Sequence, residues 1–370
     1  MRLLFAGDIM PGGVLEYQRD YVTDDLRKYL ATFDARIGTL ECALGDGLPF
    51  DKTKMAGKMN IIYSPASSVG RLKALNFNVV SLANNHLYDL GEEGLRSTIR
   101  ILDEAGIKHC GAGVNIEEAS RPAVLEIGGK RVAIFAYCQH GTVYVGHVEK
   151  ATATSPGVNP LDIRRCVEDI RSAKQKYDYV LVMPHWGNEY QYLPTPECVD
   201  YARAMIDAGA DGVFSSHTHQ VQPLAFHRCK PIAYSMGNFM FPDYLMQPPR
   251  PIWYPESGDV IPSLPRIVAY PKSIDSPIVQ VWRHLSRIGM LVECDIEGRD
   301  VSAGYRLVYT TSGNVVEFYS HPAPMRFRMK WMRAAVESSR YPLIYSAYKS
   351  RFNVARKGFH FLNRFVSRHS

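Results

Sequence analysis

The sequence of 370 residues predicts a layered α/β domain in which helices cover sheets. Short apolar runs of strand length alternate with segments in which apolar residues recur at helical spacing. The hydrophobic content of 46% is that of an ordinary globular protein. A chain of this length accommodates one large domain with an appendage, or two domains.

The first part of the chain contains three predicted strands, three predicted helices and a hairpin. We predict strands at Leu3–Ala6, Ile37–Leu40 and Val79–Leu82, helices at Asp24–Ala31, Pro65–Leu75 and Leu95–Ala105, and a hairpin of 124–127 with 132–136. Ser64 is placed to cap the second helix. Leu48–Asn60 is polar and rich in lysine, which predicts a loop.

The second part continues the alternation and then changes in character. We predict helices at Leu161–Lys174 and Pro196–Ala208, and strands at Tyr179–Met183, Gly212–Phe214 and Ile232–Ser235. Nine prolines between Pro242 and Pro277 predict a long loop that covers the domain. Strand patterning returns in Gly289–Ile296 and Tyr305–Tyr309, which predicts an edge hairpin that closes a domain of residues 1–310.

The C-terminal segment is strongly basic. Residues 326–370 carry eleven basic residues and one acid, Glu337, so the rest of the chain is mildly acidic. Ala355, Phe359, Leu362 and Val366 fall at helical spacing, which predicts a basic amphipathic helical tail at 325–370. Such a helix packs on its own domain or contacts an anionic membrane or a synthase complex. It does not predict nucleic-acid binding.

Cysteine usage and hydropathy indicate the compartment. The seven cysteines are odd in number, scattered and without a C-x-x-C pair, so neither a disulfide framework nor a zinc knuckle is indicated. No uninterrupted apolar run reaches the roughly 18 residues of a membrane-spanning helix. Met1 to Phe5 leads directly into a strand without a signal region. We therefore expect a cytoplasmic protein.

Five predicted strands end in residues of the metal-ligand type. These are Asp8, Glu41, the run Asn84-Asn85-His86, His185 with Glu189 beyond it, and the pair His217 and His219. In layered α/β folds the carboxyl ends of strands gather at one edge, so these residues are expected to share a site. Carboxylate, amide and imidazole groups without thiolate suit manganese, iron or zinc.

Each of these residues also has an ordinary structural interpretation. Asp8 is of a type common in turns, and Asn84 and Asn85 likewise. His185 is explained equally by packing on the neighbouring Trp186. Glu41 is harder to explain, because a buried carboxylate without a partner costs several kcal/mol. That all five sets fall at strand ends favours a shared site. The sequence contains no phosphate-binding loop of the G-x-x-x-x-G-K-[ST] type and no G-x-S-x-G elbow.

Taken in order, these residues resemble the CapA family, named for poly-γ-glutamate capsule synthesis and related in fold to calcineurin-like metallophosphoesterases. The matching motifs are Gly7-Asp8-Ile9-Met10, Leu40-Glu41, Ala83-Asn84-Asn85-His86, His185-Trp186-Gly187 with Glu189, His217-x-His219, and Tyr234-Ser235-Met236-Gly237-Asn238-Phe239. The resemblance covers residues 1–242. Met10 and Glu41 depart from the phosphoesterase pattern, which has histidine and aspartate there, and Ser215-Ser216 stand where a glycine is usual.

The resemblance implies a two-sheet β-sandwich flanked by helices, with two divalent metal ions at the sheet ends. It implies that Asp8 and His219 bind one ion, that Asn85, His185 and His217 bind the second, and that Glu41 bridges them. His86 is implied to orient substrate or protonate the leaving group, and Asp8 to share in catalysis. Asn84, Glu189 and Asn238 are implied to lie around the ligands or to contact substrate.

The implied function is hydrolysis of a phosphoester or amide bond by a metal-activated water, in the metabolism of a capsule, exopolysaccharide or poly-γ-glutamate. The expected substrate is a phosphorylated or polyanionic small molecule or polymer. The alternative is a non-catalytic, metal-binding assembly component of a capsular polymer synthesis complex.

Overall fold

Two mixed β-sheets and the helices that flank them form most of the chain. The structure is a computed structural model that describes residues 1–46, 61–139, 149–248, 251–268, 274–298 and 300–351. The predicted loop Leu48–Asn60 and the amphipathic pattern from Ala355 onwards lie outside the described residues. Strands and helices are numbered in chain order.

The larger sheet has β1 at its centre. Its strands are β1 (Arg2–Ile9), β2 (Ala35–Leu40), β5 (Val79–Ser81), β6 (Lys108–Cys110), β15 (Asn238–Met240), β19 (Ile288–Glu297), β20 (Asp300–Thr310) and β21 (Val316–Phe318). The order is β21-β20-β19-β1-β2-β5-β6, and β15 also pairs with β1. β1, β2, β5 and β6 run parallel, whereas β19 is antiparallel to β1. The parallel strands therefore end at one edge.

The second sheet has a parallel centre and antiparallel edges. Its strands are β8 (Ala123–Ile127), β9 (Lys130–Cys138), β11 (Tyr179–His185), β12 (Gly212–Phe214), β13 (Leu224–His227) and β14 (Lys230–Ala233). The order is β13-β14-β12-β11-β9-β8, in which β9, β11, β12 and β14 are parallel. β8 and β9 form the predicted hairpin.

Short strands and helices complete the described fold. The short strands are β3 (Ala43–Leu44) with β4 (Tyr63–Ser64), β7 (Ala112–Gly113) with β10 (Gly157–Val158), and a small sheet of β16 (Tyr244–Met246), β18 (Ile278–Val281) and β17 (Arg266–Val268). The helices are α1 (Asp24–Leu30), α2 (Val69–Ala74), α3 (Gly91–Ala105), α4 (Ile116–Ala119), α5 (Ile163–Lys174), α6 (Pro196–Asp207), α7 (Pro322–Glu337) and α8 (341–351). The 3-10 turns are Gly13–Tyr17, Ala66–Ser68, Gly258–Ser263 and His284–Arg287.

One hydrophobic core joins the two large sheets. At its centre the rings of Phe5 in β1 and Phe214 in β12 stack with their centroids 3.7 Å apart. Both side chains are fully buried. The layered α/β class, with two sheets flanked by helices, is confirmed.

The helix α6 shows how closely sequence signals fix some boundaries. Thr195 accepts a hydrogen bond from the Cys198 amide, which caps the helix start, and Pro196 occupies the first turn. Gly209 follows the helix with a φ of +116°, a conformation that a side chain would disfavour. The predicted start and stop of this helix are therefore confirmed.

The predicted role of Ser64 is wrong. Ser64 lies in β4 and is buried, with its Oγ 3.4 Å from the Cys42 Sγ. Pro65 precedes the first helical turn, and its position has no side-chain capping bond. Ser64 instead pairs with Leu44 in the short β3–β4 ladder, so it does not cap the helix.

The proline-rich segment 242–277 is not the structureless loop that its composition predicts. It contains β16, β17 and a 3-10 turn, and β18 begins directly after it. Leu245 and Val279 of this small sheet pack on Val14 in a second apolar cluster. Long-range strand pairing compensates for the weak local propensity of a segment rich in proline.

The predicted hairpin near the C-terminus forms. β19 and β20 pair antiparallel, and β19 lies directly against β1. The short strand β21 pairs only with Val308, Tyr309 and Thr310 of β20. Among the described strands, β20 is therefore at the sheet edge for most of its length, as predicted, and β21 extends the sheet at its end.

The basic C-terminal segment begins with α7 and α8. Met325, Met329, Met332 and Val336 form a buried stripe on α7, and Tyr341 and Tyr345 of α8 are also buried. This packing matches the interpretation in which the segment contacts its own domain. Among the described residues, none of the helices combines the length and the apolar character required to cross a membrane.

Candidate metal centre

The candidate site lies where parallel strands of both large sheets end. Asp8 is within β1 and pairs with Thr39 of β2, and Glu41 follows β2 directly. His185 is the last residue of β11, and its neighbour Ser216 is joined to it by a β-bridge. Both sheets thus deliver side chains to one place, as the strand-end pattern predicts.

A glycine permits the backbone approach that fixes Asp8. The Asp8 amide donates to the Gly237 carbonyl oxygen over 2.9 Å. A Cβ atom on Gly7 would lie 1.8 Å from that same oxygen. Only glycine at position 7 allows β1 to lie this close to the loop before Asn238.

Two triads of ligand-type side chains share Glu41. Glu41, His185 and His217 form one, and Asp8, Glu41 and His219 form the other, with the ligand atoms of each triad within 4.8 Å of one another. The Glu41 Oε1 lies 3.4 Å from the His185 Nε2, and the Glu41 Oε2 lies 3.8 Å from the His219 Nδ1. The structure thus brings together the residues that the resemblance implies as ligands, and the bridging role of Glu41 stays a prediction.

Several of these ligand-type atoms are buried without a hydrogen-bond partner. They are the Asp8 Oδ1, both carboxylate oxygens of Glu41 and the His217 Nε2. Buried polar atoms without a partner each cost roughly 1–3 kcal/mol, and native proteins rarely retain them without a reason. The unsatisfied set consists of oxygen and imidazole nitrogen, so the residues present fit divalent cations.

The electrostatics of the site follow from its burial. Burial raises the pKa of Asp8 to about 7, and burial and the nearby Asp8 raise the pKa of Glu41 well above its usual value. Burial also lowers the pKa of His219 to about 4 and the pKa values of His185 and His217 well below normal. The imidazoles are therefore neutral, which is the form that binds metal.

Two polar contacts orient the imidazoles. The His185 Nδ1 lies 3.1 Å from the Ser216 Oγ, which itself donates to the Thr39 Oγ1. The Asn238 Oδ1 lies 2.9 Å from the His219 Nδ1, and the Asn238 Nδ2 donates to a backbone carbonyl. The Ser216 contact leaves the His185 Nε2, the nitrogen nearest Glu41, facing the site, and a contact of this kind holds a metal-binding histidine in orientation. The Asn238 contact is instead to the same Nδ1 of His219 that lies nearest Glu41. The role of Ser216 has no signal in the sequence.

The residues that follow β5 have two roles. Asn84 and Asn85 support the loop and a ligand-type residue, and His86 lies at the opening of the site. The Asn85 Oδ1 lies 2.8 Å from the His185 Nε2, so the structure places Asn85 beside the triad of Glu41, His185 and His217. Asn84 donates to the Leu40 carbonyl and accepts from the His86 amide, which braces the loop. The partly exposed His86 has its Nδ1 2.7 Å from the Asp89 Oδ2. Asp89 is thus the partner of His86.

The loop after β11 brings Glu189 and Tyr190 next to the histidines. Burial raises the pKa of Glu189 to about 8, and the Asp8 charge adds to the rise. The Tyr190 amide donates to the Thr218 carbonyl over 2.7 Å, and its ring centroid lies 6.1 Å from that of His219. Glu189 is partly exposed and lies four residues after the ligand-type residue His185.

The histidine turn has an unusual backbone. The φ angles are +105° for His217 and +52° for His219, although neither residue is glycine. Left-handed conformations of this kind cost of order 1–3 kcal/mol and concentrate at functional sites. The His217 amide donates to the Asp8 Oδ2, which helps to hold the turn in place.

Trp282 is a part of the site that the sequence did not reveal. Its ring centroid lies 4.8 Å from that of His219, and its Nε1 donates to the Pro242 carbonyl. Trp282 precedes β19 and lies beyond the motif-bearing residues. Its position depends on tertiary contacts that leave no local pattern.

The fold and the site together define an α/β sandwich with a candidate centre for divalent cations at its strand ends. Residues 2–243 match the family model described as "Bacterial capsule synthesis protein PGA_cap". The chain belongs to this family, and the resemblance to the CapA family is confirmed.

Named relatives support the family assignment. The chain is 32% identical over 252 residues to the capsule biosynthesis protein CapA of Bacillus anthracis, which covers 65% of this chain and 60% of that protein. It is 30% identical over 240 residues to the PGA biosynthesis protein CapA of Bacillus subtilis, which covers 64% and 62%. A probable polyglutamine synthesis accessory protein of Mycobacterium tuberculosis is 34% identical over 179 residues, which covers 46% and 47%.

The similarity is partial in extent. The matches span between about half and 62% of the length of these three relatives. Among solved structures, the sulfate thiohydrolase SoxB of Thermus thermophilus in complex with glycerol matches with a TM-score of 0.42 and 11% identity, covering 90% of this chain and 60% of that one. So distant a match says nothing about the chemistry of this chain.

Proposed function

We propose that the chain is a divalent-metal-dependent hydrolase of capsule, exopolysaccharide or poly-γ-glutamate metabolism that cleaves a phosphoester or amide bond. The observation that carries this proposal is the set of buried, unsatisfied ligand atoms in two triads that share Glu41. A structural ion pair would satisfy these atoms, whereas a site built for cations leaves them open.

The proposed ligand sets follow the two triads. Asp8, Glu41 and His219 would hold one ion, and Glu41, His185 and His217 with Asn85 would hold the second. Manganese, iron and zinc suit this set of donors. Bound ions would supply Lewis acidity, which polarises a phosphoryl or carbonyl oxygen and lowers the pKa of water.

The protein's own groups complete the proposed chemistry. The His86 Nδ1 contacts Asp89, a contact that orients the imidazole, and we assign proton donation to the leaving group to His86. Glu189, with a pKa of about 8, holds a proton at neutral pH that it can exchange with substrate. Asp8 and Asn238 hold the histidine turn in the geometry that the ligands need.

A positive charge next to the site supports a polyanionic substrate. The Arg283 guanidinium carbon lies 5.6 Å from the Tyr190 ring centroid, and Tyr190 contacts His219. Arg283 is exposed and forms no ion pair with any residue that the structure describes. An arginine of this kind binds carboxylates and phosphates well. The names of the relatives point to poly-γ-glutamate, which is a polycarboxylate.

The test combines metal analysis with a substrate screen. The purified protein, His185→Ala and Glu41→Ala are loaded with Mn²⁺, Fe²⁺ or Zn²⁺ and assayed on phosphodiester, phosphomonoester and γ-glutamyl amide substrates. We expect the wild type to bind metal and to hydrolyse one class, and both variants to lose activity by more than about 100-fold. A wild-type protein that binds no divalent metal at micromolar concentration contradicts the proposal.

A second candidate is a metal-binding accessory component without turnover. The mycobacterial relative is named a probable accessory protein, which favours this candidate. A wild-type protein that binds metal tightly but hydrolyses no substrate in the screen supports this candidate over the hydrolase.

We also propose a cytoplasmic location. All seven cysteines are free, and six of them are buried. Proteins of oxidising compartments more often pair their cysteines. Fractionation of cells that express the native gene tests this location.

A further inference from the structure

An exposed apolar and basic surface lies on the outer side of α7 and α8. Five large hydrophobic side chains are exposed among the described residues, and three of them are Phe327, Trp331 and Leu343. Their exposed fractions are 77%, 53% and 72%. Phe327 and Trp331 are four residues apart, so they lie on one face of α7. Exposed aromatic residues of this size mark interaction sites.

The same surface is positively charged. The exposed basic residues Arg326, Lys330, Arg340, Lys349 and Arg351 form no ion pair with any described residue. The following residues, 352–370, add four basic residues and no acidic one to the sequence. Unpaired cations beside exposed aromatic residues are the combination that binds anionic lipid surfaces.

A groove beside the two aromatic residues adds to this surface. Leu285, Ile288 and Tyr319 line one side, and Met325, Phe327, Arg328 and Trp331 line the other. Its volume is about 490 Å³. An apolar groove with a basic edge suits an acyl chain together with its anionic headgroup.

We propose that Phe327, Trp331 and the neighbouring exposed basic residues of α7, Arg326 and Lys330, form a docking surface for an anionic lipid bilayer. The inner face of the same helix packs on the protein body through Met325, Met329 and Met332. The outer face can therefore contact a bilayer while the inner face stays packed on the folded domain.

Vesicle flotation of the full-length protein tests this proposal. We expect binding to vesicles that contain phosphatidylglycerol, weakening with salt, and no binding to pure phosphatidylcholine. The double variant Phe327→Ala/Trp331→Ala is expected to bind roughly tenfold more weakly. The matched control Val260→Ala/Val268→Ala removes two other exposed apolar side chains and is expected to bind as the wild type does.

Charge reversal provides the second arm of the test. Arg326→Glu/Lys330→Glu is expected to weaken binding by about fivefold or more for each cation lost. Arg96→Glu/Arg100→Glu changes the net charge equally on helix α3 and is expected to have a much smaller effect. No flotation, equal flotation on neutral vesicles, or equal losses in the test and control variants would each overturn the proposal. Unchanged near-UV circular dichroism excludes unfolding as the cause.

A second, independent observation concerns the inner face of α8. Tyr341, Tyr345 and Tyr348 lie on one face, and all three hydroxyls bond to the loop that follows β11. The Tyr341 hydroxyl donates to the Pro194 carbonyl over 2.6 Å, and the Tyr345 hydroxyl donates to the Gln191 Oε1 over 2.9 Å. We call residues 188–194 the site loop, because Glu189 and Tyr190 within it lie against the candidate metal centre.

The site loop connects these tyrosines to the metal ligands. The Tyr192 amide donates to the Tyr348 hydroxyl, and the Gln191 carbonyl accepts from the Gln222 side chain. Next to them, the Tyr190 amide donates to Thr218, the residue between His217 and His219. A shift of the loop would therefore move the strained histidine turn.

We infer that Tyr345 and Tyr348 are positioning residues for the candidate metal centre, acting through the site loop. This inference rests on the proposed metal site for its effect on binding, but not for its effect on the loop. The inference assigns a role at the site to helix α8, which lies beyond residue 243, where the family match ends.

The test uses the conservative variants Tyr345→Phe and Tyr348→Phe. Loss of one neutral hydrogen bond is expected to weaken Mn²⁺ binding about threefold to tenfold. Amide hydrogen exchange in residues 190–194 of the metal-free protein is expected to accelerate by a similar factor. The control Tyr201→Phe removes a hydroxyl that bonds Glu197 on the exposed side of α6, and is expected to change neither measurement.

The two measurements separate the possible failures. Unchanged exchange in 190–194 in both variants overturns the positioning role, whatever the metal data show. Faster exchange together with Mn²⁺ binding equal to the wild type also overturns it. A wild-type protein that binds none of Mn²⁺, Fe²⁺ and Zn²⁺ contradicts the proposed function, and the exchange data then decide whether the tyrosines hold the loop.

Discussion

Glu41 is a carboxylate that the fold buries completely and leaves without a hydrogen-bond donor on either oxygen. Burial raises the pKa of Glu41 well above its usual value, and the nearby Asp8, also buried, raises it further. Without a cation, Glu41 therefore destabilises the protein. The proposed role as a ligand of cations would offset this cost.

Glu41→Gln tests this role through two opposite effects. Glutamine has the same shape but cannot bridge cations as a carboxylate does, so we expect loss of both ions. The variant without metal is expected to be at least as stable as the metal-free wild type, because a buried acid next to Asp8 is removed. Mass spectrometric metal analysis and thermal unfolding in EDTA measure the two effects. A large loss of metal-free stability would show that Glu41 is a structural residue.

The two histidines of the turn provide a separate prediction. His217 belongs to the triad with His185, and His219 to the triad with Asp8. We expect His217→Ala and His219→Ala each to lower the metal content by about half, because each removes a ligand from one ion only. The double variant is expected to bind none. Equal and complete loss in both single variants would indicate one shared ion, contrary to the proposal.

The small sheet of β16, β17 and β18 depends on one buried carboxylate. The Asp243 side chain accepts hydrogen bonds from Arg287 over 2.6 Å, from Arg266 over 2.9 Å and from the Trp282 amide over 3.2 Å. Trp282 packs on His219. This element therefore links the proline-rich segment to the metal centre.

The two arginines of Asp243 form a matched pair for a stability test. Arg287 is buried, so Arg287→Ala leaves Asp243 without its main partner and is expected to cost about 3–5 kcal/mol. The Arg266 side chain is 49% exposed, so Arg266→Ala is expected to cost less than about 1 kcal/mol. Urea unfolding measures both values. Similar losses in the two variants would contradict the assignment of Asp243 to a buried ion pair.

At the scale of the whole molecule, the stacking of Phe5 on Phe214 joins the two large sheets. Phe214 ends β12, directly before Ser215, Ser216 and the histidine turn. The packing between the two sheets therefore also positions the histidine turn.

Phe5→Ala is expected to destabilise the protein by about 3–5 kcal/mol, because it opens a cavity between two close-packed sheets. Phe214→Ala is expected to cost a similar amount, and the double variant less than their sum, since the two rings contact each other. The control Phe327→Ala removes an exposed ring and is expected to change stability by less than about 0.5 kcal/mol. Chemical denaturation gives all four values, and additive losses would contradict direct coupling.

The sequence by itself determined the fold class and the residues that converge. Strand-length apolar runs place Asp8, Glu41, His185 and the histidine turn at strand ends, and parallel strands of layered sheets end at one edge. Helix α6 was bounded correctly because its cap, its proline and its terminal glycine act locally. The metal roles of these residues stay predictions.

Tertiary structure alone decided the rest. Proline suppresses local strand propensity, yet β16, β17 and β18 form because distant strands supply their hydrogen bonds. Ser216, Trp282 and Tyr345 support the candidate site through contacts whose partners lie far away in sequence. Local patterns reveal periodicity and caps, whereas such contacts depend on which surfaces the folded chain brings together. The sequence therefore located the candidate metal centre, and only the packing of the folded chain showed what holds it in position.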